Sequence, residues 1–239
     1  LAETHRVLVL EMEERPGYHS TGRSAAMFEP NYGPAPIRAL TRAARAEFDA
    51  MKAFTPRETI FFMAEGQDNS FETLMKAQVG MHEIPVAEAH AKYPLLRRGY
   101  AKRAILDPGT ADIDVDLVHQ HYLRKLKSNG GTTACNRRVE AISRSGGTWR
   151  VNAGGTTFSA PIIVDAAGAW GDVVAQMAGA NPAGLQPKRR SMAVVPMPDG
   201  HDATDWPMIG DAGETWYSKA QSGKLLVSPA DATPVDPHD

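Results

Sequence analysis

The sequence predicts an α/β fold, and two short apolar runs that end in acids are the main reason. Residues Arg6 to Glu11 and Pro161 to Asp165 are each typical of a buried parallel strand that closes on a carboxylate. Asp165 is followed by Ala-Ala-Gly168 and a helical pattern, which is typical of a strand-to-helix turn at a nucleotide site. Helices and strands alternate irregularly between the two runs, so we expect a Rossmann-like domain interleaved with a domain of α+β type.

Apolar periodicity and chain breakers locate the remaining elements. Helical spacing predicts helices over Pro36–Phe54, Phe71–Met81, Val86–His90 and Asp114–Lys127, and another through Val173, Val174 and Met177. Alternating or short apolar runs predict strands over Thr59–Met63, Thr132–Asn136, Arg138–Arg144, Thr148–Asn152, Thr156–Ala160, Met192–Val195, Thr215–Lys219 and Lys224–Val227. The four strands between 132 and 160 suggest a strand entering an antiparallel meander. Residues 13–28 are rich in glycine and hydroxyl side chains, which indicates a loop with short helical pieces.

Composition excludes several classes of protein. The 239 residues are 42% hydrophobic and 23% charged, as in average globular proteins. A net charge of −2, without clustered cations, argues against a nucleic-acid partner. The longest apolar runs are far shorter than the roughly 20 residues of a transmembrane helix. The single cysteine, Cys135, excludes an internal disulfide framework and is expected to be a small core residue; a cytoplasmic location is predicted.

Glu11 has the position of a ribose-binding acid. In a Rossmann unit this acid lies about 20 residues after the glycine-rich phosphate turn. Counting back places that turn about 10 residues before Leu1, so we expect the first strand and the glycine-rich loop to be missing and the chain to be truncated at both ends. The alternative is that Glu11 merely ends a strand near solvent. The small residues of Gly17–Ala26 would let backbone amides approach a pyrophosphate, but by themselves they indicate only a loop.

Glu11 to Ala26 resembles the second FAD-binding segment of the D-amino-acid oxidase superfamily, including its Pro16-Gly17 and Ser20-Thr-Gly-Arg-Ser24 pattern. Gly109–Leu123 is similar to the family segment that enters the central helix, and Val164–Trp170 to its last turn beside the cofactor. Three later segments look like the D-arginine and D-amino-acid dehydrogenases of that superfamily: Gly184–Arg190, Asp205–Met208 and Ser228–Ala230. The resemblance spans nearly the whole chain.

The resemblance implies FAD as cofactor and a discontinuous domain arrangement. Residues 1–28 and 112–184 would form an FAD-binding domain of glutathione-reductase type, and residues 29–111 and 185–239 a substrate-binding domain, both incomplete. Glu11 would bind the adenosine ribose. The pyrophosphate and isoalloxazine would be lined by Ser20, Thr21, Gly22, Arg23, Ser24, Ala25 and Ala26, and further cofactor contacts would come from Val139, Ala167, Gly168 and Trp170.

On the substrate side, the resemblance places Tyr32, Arg190, Met208 and Tyr217 around the flavin face. Arg190 would clamp an amino-acid carboxylate, because a guanidinium grips a carboxylate at two points. The implied reaction oxidises a D-amino acid or related amine to an imine by hydride transfer to flavin N5. Without the resemblance, the tyrosines could be ordinary packing residues, and any member of the basic run Lys188–Arg190 could lie on a solvated surface.

Two departures from the D-arginine dehydrogenases bear on specificity. Met27 stands where they carry an active-site histidine, and Thr59 where they carry a guanidinium-binding glutamate. Glu58 is one residue away, but in a strand it would face the other side. Glu29 is expected near the pocket wall as a possible substitute, and the substrate is left as an undefined D-amino acid.

Other functions remain open from the sequence. One is a sarcosine or glycine oxidase-like flavoenzyme, or a 2-hydroxy-acid dehydrogenase, and another is an incompetent fragment that cannot hold FAD. The sequence identifies neither the electron acceptor nor the oligomeric state. No metal site is expected, because the nearest histidine pairs, His119 with His121 and His82 with His90, lack i, i+4 spacing and a third ligand.

Overall fold

A computed structural model describes residues 1–77 and 79–239 and divides the chain into two compact units. The first unit comprises Leu1–Ser24, Val115–Lys188 and Pro234–Asp239. The second unit comprises Ala25–Asp114 and Arg189–Thr233. Each unit is therefore built from segments that are distant in the sequence.

The helices are α1 (Ala35–Met51), α2 (Asp68–Ala77), α3 (Val86–Lys92), α4 (Val115–Ser128) and α5 (Gly171–Met177), with a 3₁₀ turn over Gly168–Trp170. The strands are β1 (Leu8–Leu10), β2 (Met27–Phe28), β3 (Phe54–Pro56), β4 (Thr59–Met63), β5 (His82–Ile84), β6 (Arg103–Asp107), β7 (Ala111–Ile113), β8 (Thr132–Ala134), β9 (Val139–Ser145), β10 (Thr148–Ala153), β11 (Thr156–Ala160), β12 (Lys188–Arg189), β13 (Ala193–Pro196), β14 (Met208–Asp211), β15 (Tyr217–Gln221), β16 (Lys224–Ser228) and β17 (Thr233–Pro234).

The first unit contains a parallel strand pair and an antiparallel meander. Strand β1 pairs with β8 in parallel, with Leu8 opposite Thr132. Strands β9, β10 and β11 form the predicted meander, with β10 in the centre. Helix α4 precedes β8 and ends before Gly130, whose positive φ of 78° suits glycine.

The second unit is built on a seven-stranded mixed sheet in the order β13-β16-β15-β14-β4-β6-β5. Only β14 and β4 are parallel among its described pairs, and β4 lies inside the sheet with Ile60 and Phe62 fully buried. One apolar cluster includes these two side chains and Ala89 of α3, and another includes Phe71 of α2. A second, three-stranded sheet has the order β2-β7-β3.

Most strongly periodic segments have the predicted structure. Helices α1, α3, α4 and α5 and strands β4, β13, β15 and β16 agree with prediction to within a few residues. Helix α2 begins earlier than predicted and ends at Ala77, and Gln78, inside the predicted helix, lies outside the described residues. Strands β5, β6 and β14 were not predicted, because their short runs carry charged or polar residues.

Two predictions about apolar runs were wrong. Residues 161–165 form no strand, and Ile162 and Val164 are each 62% exposed. Strand β1 was expected to be buried, but Leu8 is 43% exposed, since β1 has one hydrogen-bonded neighbour within the described chain. The expected helical pieces of the loop are also missing, because residues 12–23 form bends and turns.

The unit boundaries differ from the predicted domain boundaries by a few residues. Residues 25–28 and 112–114 were assigned to the first domain but lie in the second unit, because β2 and β3 both pair with β7. Residues 185–188 and 234–239 were assigned to the second domain but lie in the first unit. Backbone pairing at these junctions has no signature in the sequence pattern.

A buried ion cluster joins the two sheets of the second unit. Lys219 on β15 is 4% exposed, and its ammonium donates to Asp112 Oδ1 at 2.5 Å and to the Ala25 carbonyl at 2.8 Å. Arg57 Nε donates to the other oxygen, Asp112 Oδ2, at 2.5 Å. Because a buried charge is costly unless it is paired, these three side chains fix the seven-stranded sheet against β7.

We expect Lys219→Met to destabilise the second unit by about 3 kcal/mol, because it leaves the partly buried Asp112 carboxylate with one of its two cationic partners. Urea denaturation followed by circular dichroism measures the change. Lys224→Met on the neighbouring strand is the matched control, since Lys224 is exposed, and its effect should stay within about 0.5 kcal/mol. Equal destabilisation by the two substitutions would show that the ion cluster does not stabilise the fold.

Candidate functional site

Three of the four predicted substrate-side residues share one electrostatic environment in the second unit. Partial burial raises the pKa of Tyr32, and Glu214, Glu29 and Tyr217 raise it further, whereas the Arg190 guanidinium lowers it. Tyr32 nevertheless remains 49% exposed. The structure therefore brings Tyr32, Arg190 and Tyr217 within electrostatic reach of one another, together with two acids.

The basic run offers two arginines with different surroundings. Arg189 Nε lies 3.7 Å from Asp231 Oδ2, whereas the charge of Arg190 acts on the Tyr32 phenol. Both side chains are exposed. The sequence left open which arginine of Lys188–Arg190 belongs to the substrate side. Arg190 is favoured over Arg189, because Arg189 already has an acidic neighbour.

Met208, the fourth predicted residue, is buried at the start of β14, where it lies opposite Thr59 of β4. Thr59 is itself fully buried and donates a hydrogen bond to Thr110 Oγ1 at 3.1 Å. Glu58 forms an ion pair of 2.8 Å with Lys92. Glu58, which precedes Thr59 in sequence, is therefore already paired with Lys92. This agrees with the expectation that neighbouring side chains along a strand face opposite sides.

Glu29 is the most strongly perturbed acid of the site. It directly follows β2, and its Oε1 atom is buried and has no hydrogen-bond partner in residues 1–77 and 79–239, although the residue as a whole keeps some exposure. Burial raises the pKa of Glu29 from 4.5 to about 7, with further contributions from Asp107 and Glu214 and an opposing one from Lys219. The carboxyl therefore titrates near neutral pH.

Glu29 lines a cavity of about 210 Å³ within the second unit. Tyr32, Asp107 and Glu214 also line this cavity, and Arg38 contributes a cation. A larger cavity of about 590 Å³ is lined mainly by apolar side chains and includes Tyr217 and Ser191, the latter next to Arg190 in sequence. The second unit thus offers a small acidic pocket and a larger apolar one.

The end of the predicted cofactor loop also lies in the second unit. The Ala25 carbonyl accepts a hydrogen bond from Lys219, and the Ala26 carbonyl accepts one from the Ile113 amide at 2.7 Å. Ala26 has a positive φ of 58°, which is unusual for a residue with a Cβ atom. Met27 Sδ lies 3.8 Å from Lys219 Nζ. These contacts fix the backbone of a segment that the sequence alone leaves as a loop.

In the first unit, Glu11 lies at the carboxyl end of β1. Its amide donates to the Ala134 carbonyl at 2.9 Å, and its Oε1 atom accepts a hydrogen bond from the Glu13 amide at 3.0 Å. These two bonds fix the carboxylate at the strand end, and a carboxylate retains capacity for further donors. The edge where parallel strands end is the usual place for nucleotides in open α/β sheets.

The turn that contains Ser20, Thr21, Gly22, Arg23 and Ser24 is exposed. A Cβ atom at Gly22 would lie 2.4 Å from the Gly17 carbonyl oxygen, so the close backbone approach requires glycine. Arg23 donates to Asp239 Oδ1 at 2.6 Å and its guanidinium stacks on Tyr18. Small residues and a compact exposed turn fit the close approach of a phosphate group.

The other predicted cofactor residues lie in the same unit. Val139 begins β9, and Gly168 begins the 3₁₀ turn with a positive φ of 57° and open space where a Cβ would lie. The Ala167 amide donates to Asp165 Oδ1 at 3.1 Å, and the Trp170 ring packs against His19, with centroids 4.8 Å apart. The acid at the strand end, the hydroxyl-bearing turn and this glycine together provide a donor and acceptor set that fits a dinucleotide such as FAD.

Three residues with clear surroundings were missed by the sequence analysis. Arg137 Nε is buried and has no hydrogen-bond partner within the part of the chain that the structure describes, and the Arg137 amide donates to the Glu11 carbonyl at 2.8 Å. Lys219 and Glu214 act on the substrate-side cluster through their charges. Arg137 could have been suspected from its position just after β8. Lys219, on β15, and Glu214, in the turn between β14 and β15, carry no signal because both are distant in sequence from Glu29.

Among the described residues, no group of three or more histidine, cysteine, aspartate or glutamate side chains is arranged to hold a metal ion. Cys135 is a half-buried free thiol. In residues 1–77 and 79–239, none of the helices has the length and apolar character needed to cross a bilayer.

Comparisons with known proteins agree with a fold of mixed α/β class. The structure is similar to L-α-glycerophosphate oxidase from Mycoplasma pneumoniae with FAD bound, at 19% identity over 98% of this chain and 66% of that chain, with a TM-score of 0.83. It is also similar to glycine oxidase from Geobacillus kaustophilus (19% identity, 100% and 68%, TM-score 0.81) and to L-proline dehydrogenase from P. horikoshii (17%, 95% and 70%, 0.74). This chain spans about two thirds of the length of these structures.

The family assignment comes from the sequence as a whole. Residues 1–239 match the family described as FAD dependent oxidoreductase, known as DAO. The chain therefore belongs to the DAO family of FAD-dependent oxidoreductases, and FAD is the cofactor of this family. At identities below 20%, the similar structures support the shared fold and leave the substrate open.

The raised pKa of Glu29 predicts a specific dependence of stability on pH. Its folded-state pKa of about 7 exceeds the ordinary value of 4.5, so the stability contributed by protonation is fully present below pH 4.5 and is lost as the pH rises past about 7. The loss amounts to about 3 kcal/mol. Glu29→Gln should therefore gain about that much relative to the unmutated protein between pH 4 and pH 8.

Urea denaturation at the two pH values, without added ligands, measures this difference. Glu65→Gln is the matched control because the Glu65 side chain is 90% exposed. Parallel pH profiles for the unmutated protein and Glu29→Gln would contradict the assignment of a raised pKa to Glu29.

Proposed function

We propose that this protein carries out the FAD-dependent oxidation of a D-amino acid, or of a related amine, to the imine. Membership of the DAO family supports the oxidoreductase chemistry. The observation that carries the substrate proposal is the charge of Arg190 acting on the Tyr32 phenol in the second unit. In this proposal the second unit recognises the substrate and the first unit, with a Rossmann-like topology of glutathione-reductase type, binds the cofactor.

Arg190 is proposed to hold the carboxylate of the amino acid. A planar guanidinium with parallel N–H donors matches a carboxylate at two points and fixes the orientation of the rest of the substrate. Tyr32 and Tyr217 would bound the same site and orient the amino group. FAD, when bound, supplies the hydride acceptor. The contribution of the protein is to fix the Cα–H bond in the geometry that transfer requires.

On the cofactor side, Glu11 is proposed to accept hydrogen bonds from the adenosine ribose. The turn from Ser20 to Ala26 would contact the pyrophosphate and isoalloxazine, and Val139, Ala167, Gly168 and Trp170 would contact the cofactor elsewhere. The position of Glu11 at the end of a parallel strand supports this assignment. Arg137 is a further candidate for a polar contact, because its amide donates to the Glu11 carbonyl and its buried Nε atom has no hydrogen-bond partner among the described residues.

Arg190→Ala in the FAD-loaded protein should raise KM for amino acids about 100-fold, because it removes a charge-assisted pair of hydrogen bonds. Its flavin absorbance should be unchanged, since Arg190 belongs to the substrate side. Steady-state assays with an artificial electron acceptor measure KM. The matched control is Arg189→Ala, whose KM should stay near that of the unmutated protein; a rise for Arg189→Ala and none for Arg190→Ala would assign the clamp to the other arginine.

A substrate panel tests the reaction class. We expect turnover with D-amino acids and little with their L-enantiomers, because a carboxylate clamp and a fixed amine position present only one Cα hydrogen to the flavin. The panel should include glycine, sarcosine, L-proline, 2-hydroxy acids and glycerol 3-phosphate. Turnover restricted to 2-hydroxy acids or glycerol 3-phosphate would refute the amine assignment, and turnover restricted to L-amino acids would refute the stereochemical one.

A further inference from the structure

The ion cluster of Lys219, Asp112 and Arg57 contains two cations and one carboxylate. Asp112 Oδ1 accepts a hydrogen bond from the Lys219 ammonium at 2.5 Å, and Asp112 Oδ2 accepts one from Arg57 Nε at 2.5 Å. The side chains of Lys219 and Arg57 are only 5% and 12% exposed. The cluster therefore has an excess of one positive charge, and water screens that charge poorly because both cations are largely buried.

Neutral groups supply the other contacts of the two cations. The Lys219 ammonium donates to the Ala25 carbonyl at 2.8 Å, and the Arg57 guanidinium donates to the carbonyls of Trp206 and Thr204. A carbonyl oxygen satisfies an N–H donor but does not cancel its charge. Negative charge that develops near the cluster is therefore attracted to it.

The Lys219 ammonium contacts the segment that is proposed to line the isoalloxazine. Its Nζ atom lies 2.8 Å from the Ala25 carbonyl oxygen and 3.8 Å from Met27 Sδ. Ala26, between these two residues, has a positive φ of 58°, and its carbonyl accepts a hydrogen bond from the Ile113 amide at 2.7 Å. In the proposed function this fixed backbone contacts the flavin ring, so the ammonium would act on the ring at short range.

Lys219 shares one face of β15 with Tyr217, because side chains two residues apart along a strand point to the same side. The intervening Ser218 faces the other side, where its hydroxyl lies 3.0 Å from the Tyr93 hydroxyl. Burial dominates the pKa of Glu29, and the Lys219 charge opposes that rise. Lys219 is therefore on the same side of the sheet as Tyr217 and acts on an acid of the substrate-side cluster.

The proposed reaction creates negative charge on the cofactor. The Cα–H bond of the neutral amine breaks, and its electron pair moves with the hydrogen to FAD as a hydride. The substrate is left as an iminium cation, and the cofactor gains one negative charge, so electrons and charge balance. A positive charge that is already fixed in place stabilises this negative charge as it develops, because no reorganisation is needed during the reaction.

We infer that the ion cluster of Lys219, Asp112 and Arg57 raises the reduction potential of the bound flavin through its excess positive charge. Lys219, which contacts the Ala25 backbone, contributes most. This inference rests on the proposed function, because that proposal assigns Ala25 and Ala26 to the isoalloxazine. The cluster then has an electrostatic role in addition to joining the two sheets of the second unit.

Sulfite is a suitable probe, because it adds to flavins to give a negatively charged adduct that is detected by the loss of flavin absorbance. In the FAD-loaded protein at neutral pH, Lys219→Gln should weaken sulfite binding about 10-fold, because it removes a unit charge and retains N–H donors. Arg57→Gln should also weaken it, and this variant serves as the test if Lys219→Gln does not fold. Lys224→Gln, at an exposed lysine on the neighbouring strand, is the matched control and should change sulfite affinity less than about twofold.

Asp112→Asn distinguishes an effect of charge from damage to the fold. This substitution breaks the same cluster but removes its negative charge, so sulfite affinity should equal or exceed that of the unmutated protein. A cluster with a purely structural role would lose affinity in this variant as well. A fall in sulfite affinity for Asp112→Asn, or unchanged affinity in both Lys219→Gln and Arg57→Gln, would overturn the inference.

The reduction potential of the bound FAD gives a second readout, measured by reductive titration against a reference dye. Lys219→Gln should lower it by about 30 mV, which corresponds to a tenfold change for a two-electron couple. Neither measurement requires a substrate. Potentials that follow the charge of the cluster in a protein that oxidises no amino acid would support the inference and refute the proposed function. Amino-acid oxidation with equal potentials in every variant would support the proposed function and refute the inference.

Discussion

The second unit depends on one buried ion cluster, in which Asp112 holds the ammonium of Lys219 and the guanidinium of Arg57. Each of these residues comes from a different strand or strand end, and together they join the seven-stranded sheet to the three-stranded sheet. The same ammonium binds the Ala25 carbonyl, so the cluster also fixes the backbone at the end of the loop that begins at Glu11. Charged groups are stable in a protein interior only when each of them is paired. The relative positions of these three side chains are therefore narrowly defined.

The cluster has a consequence for the acids nearby. Glu29 lies two residues after Met27, whose sulfur contacts Lys219, yet the Lys219 charge is committed to Asp112. Glu29 therefore experiences burial and the repulsion of Asp107 and Glu214 more strongly than the attraction of Lys219, which is why its pKa rises.

Much of the local structure follows from sequence pattern, and the exceptions have physical reasons. Long periodic segments such as α1 and α4, and alternating ones such as β9 to β11, were predicted because their apolar residues recur with the period of the element. Ile162 and Val164 were predicted in a buried strand, but an apolar run becomes a strand only when a neighbour provides hydrogen bonds, and the described chain offers none there. Strands β5, β6 and β14 were missed because they are short and depend on pairing with distant segments.

The sequence by itself determined the family, through the run from Glu11 to Ala26 and the turn at Gly168, and hence FAD as the cofactor of that family. It also identified Tyr32, Arg190 and Tyr217 as candidates that the structure places in one electrostatic environment. Only the tertiary structure revealed that Oε1 of Glu29 is buried with no partner among the described residues, that Glu58 pairs with Lys92, and that Lys219 is buried. Burial and pairing depend on contacts between segments that are far apart in the chain. A local sequence pattern therefore does not predict which side chains those contacts leave without a partner.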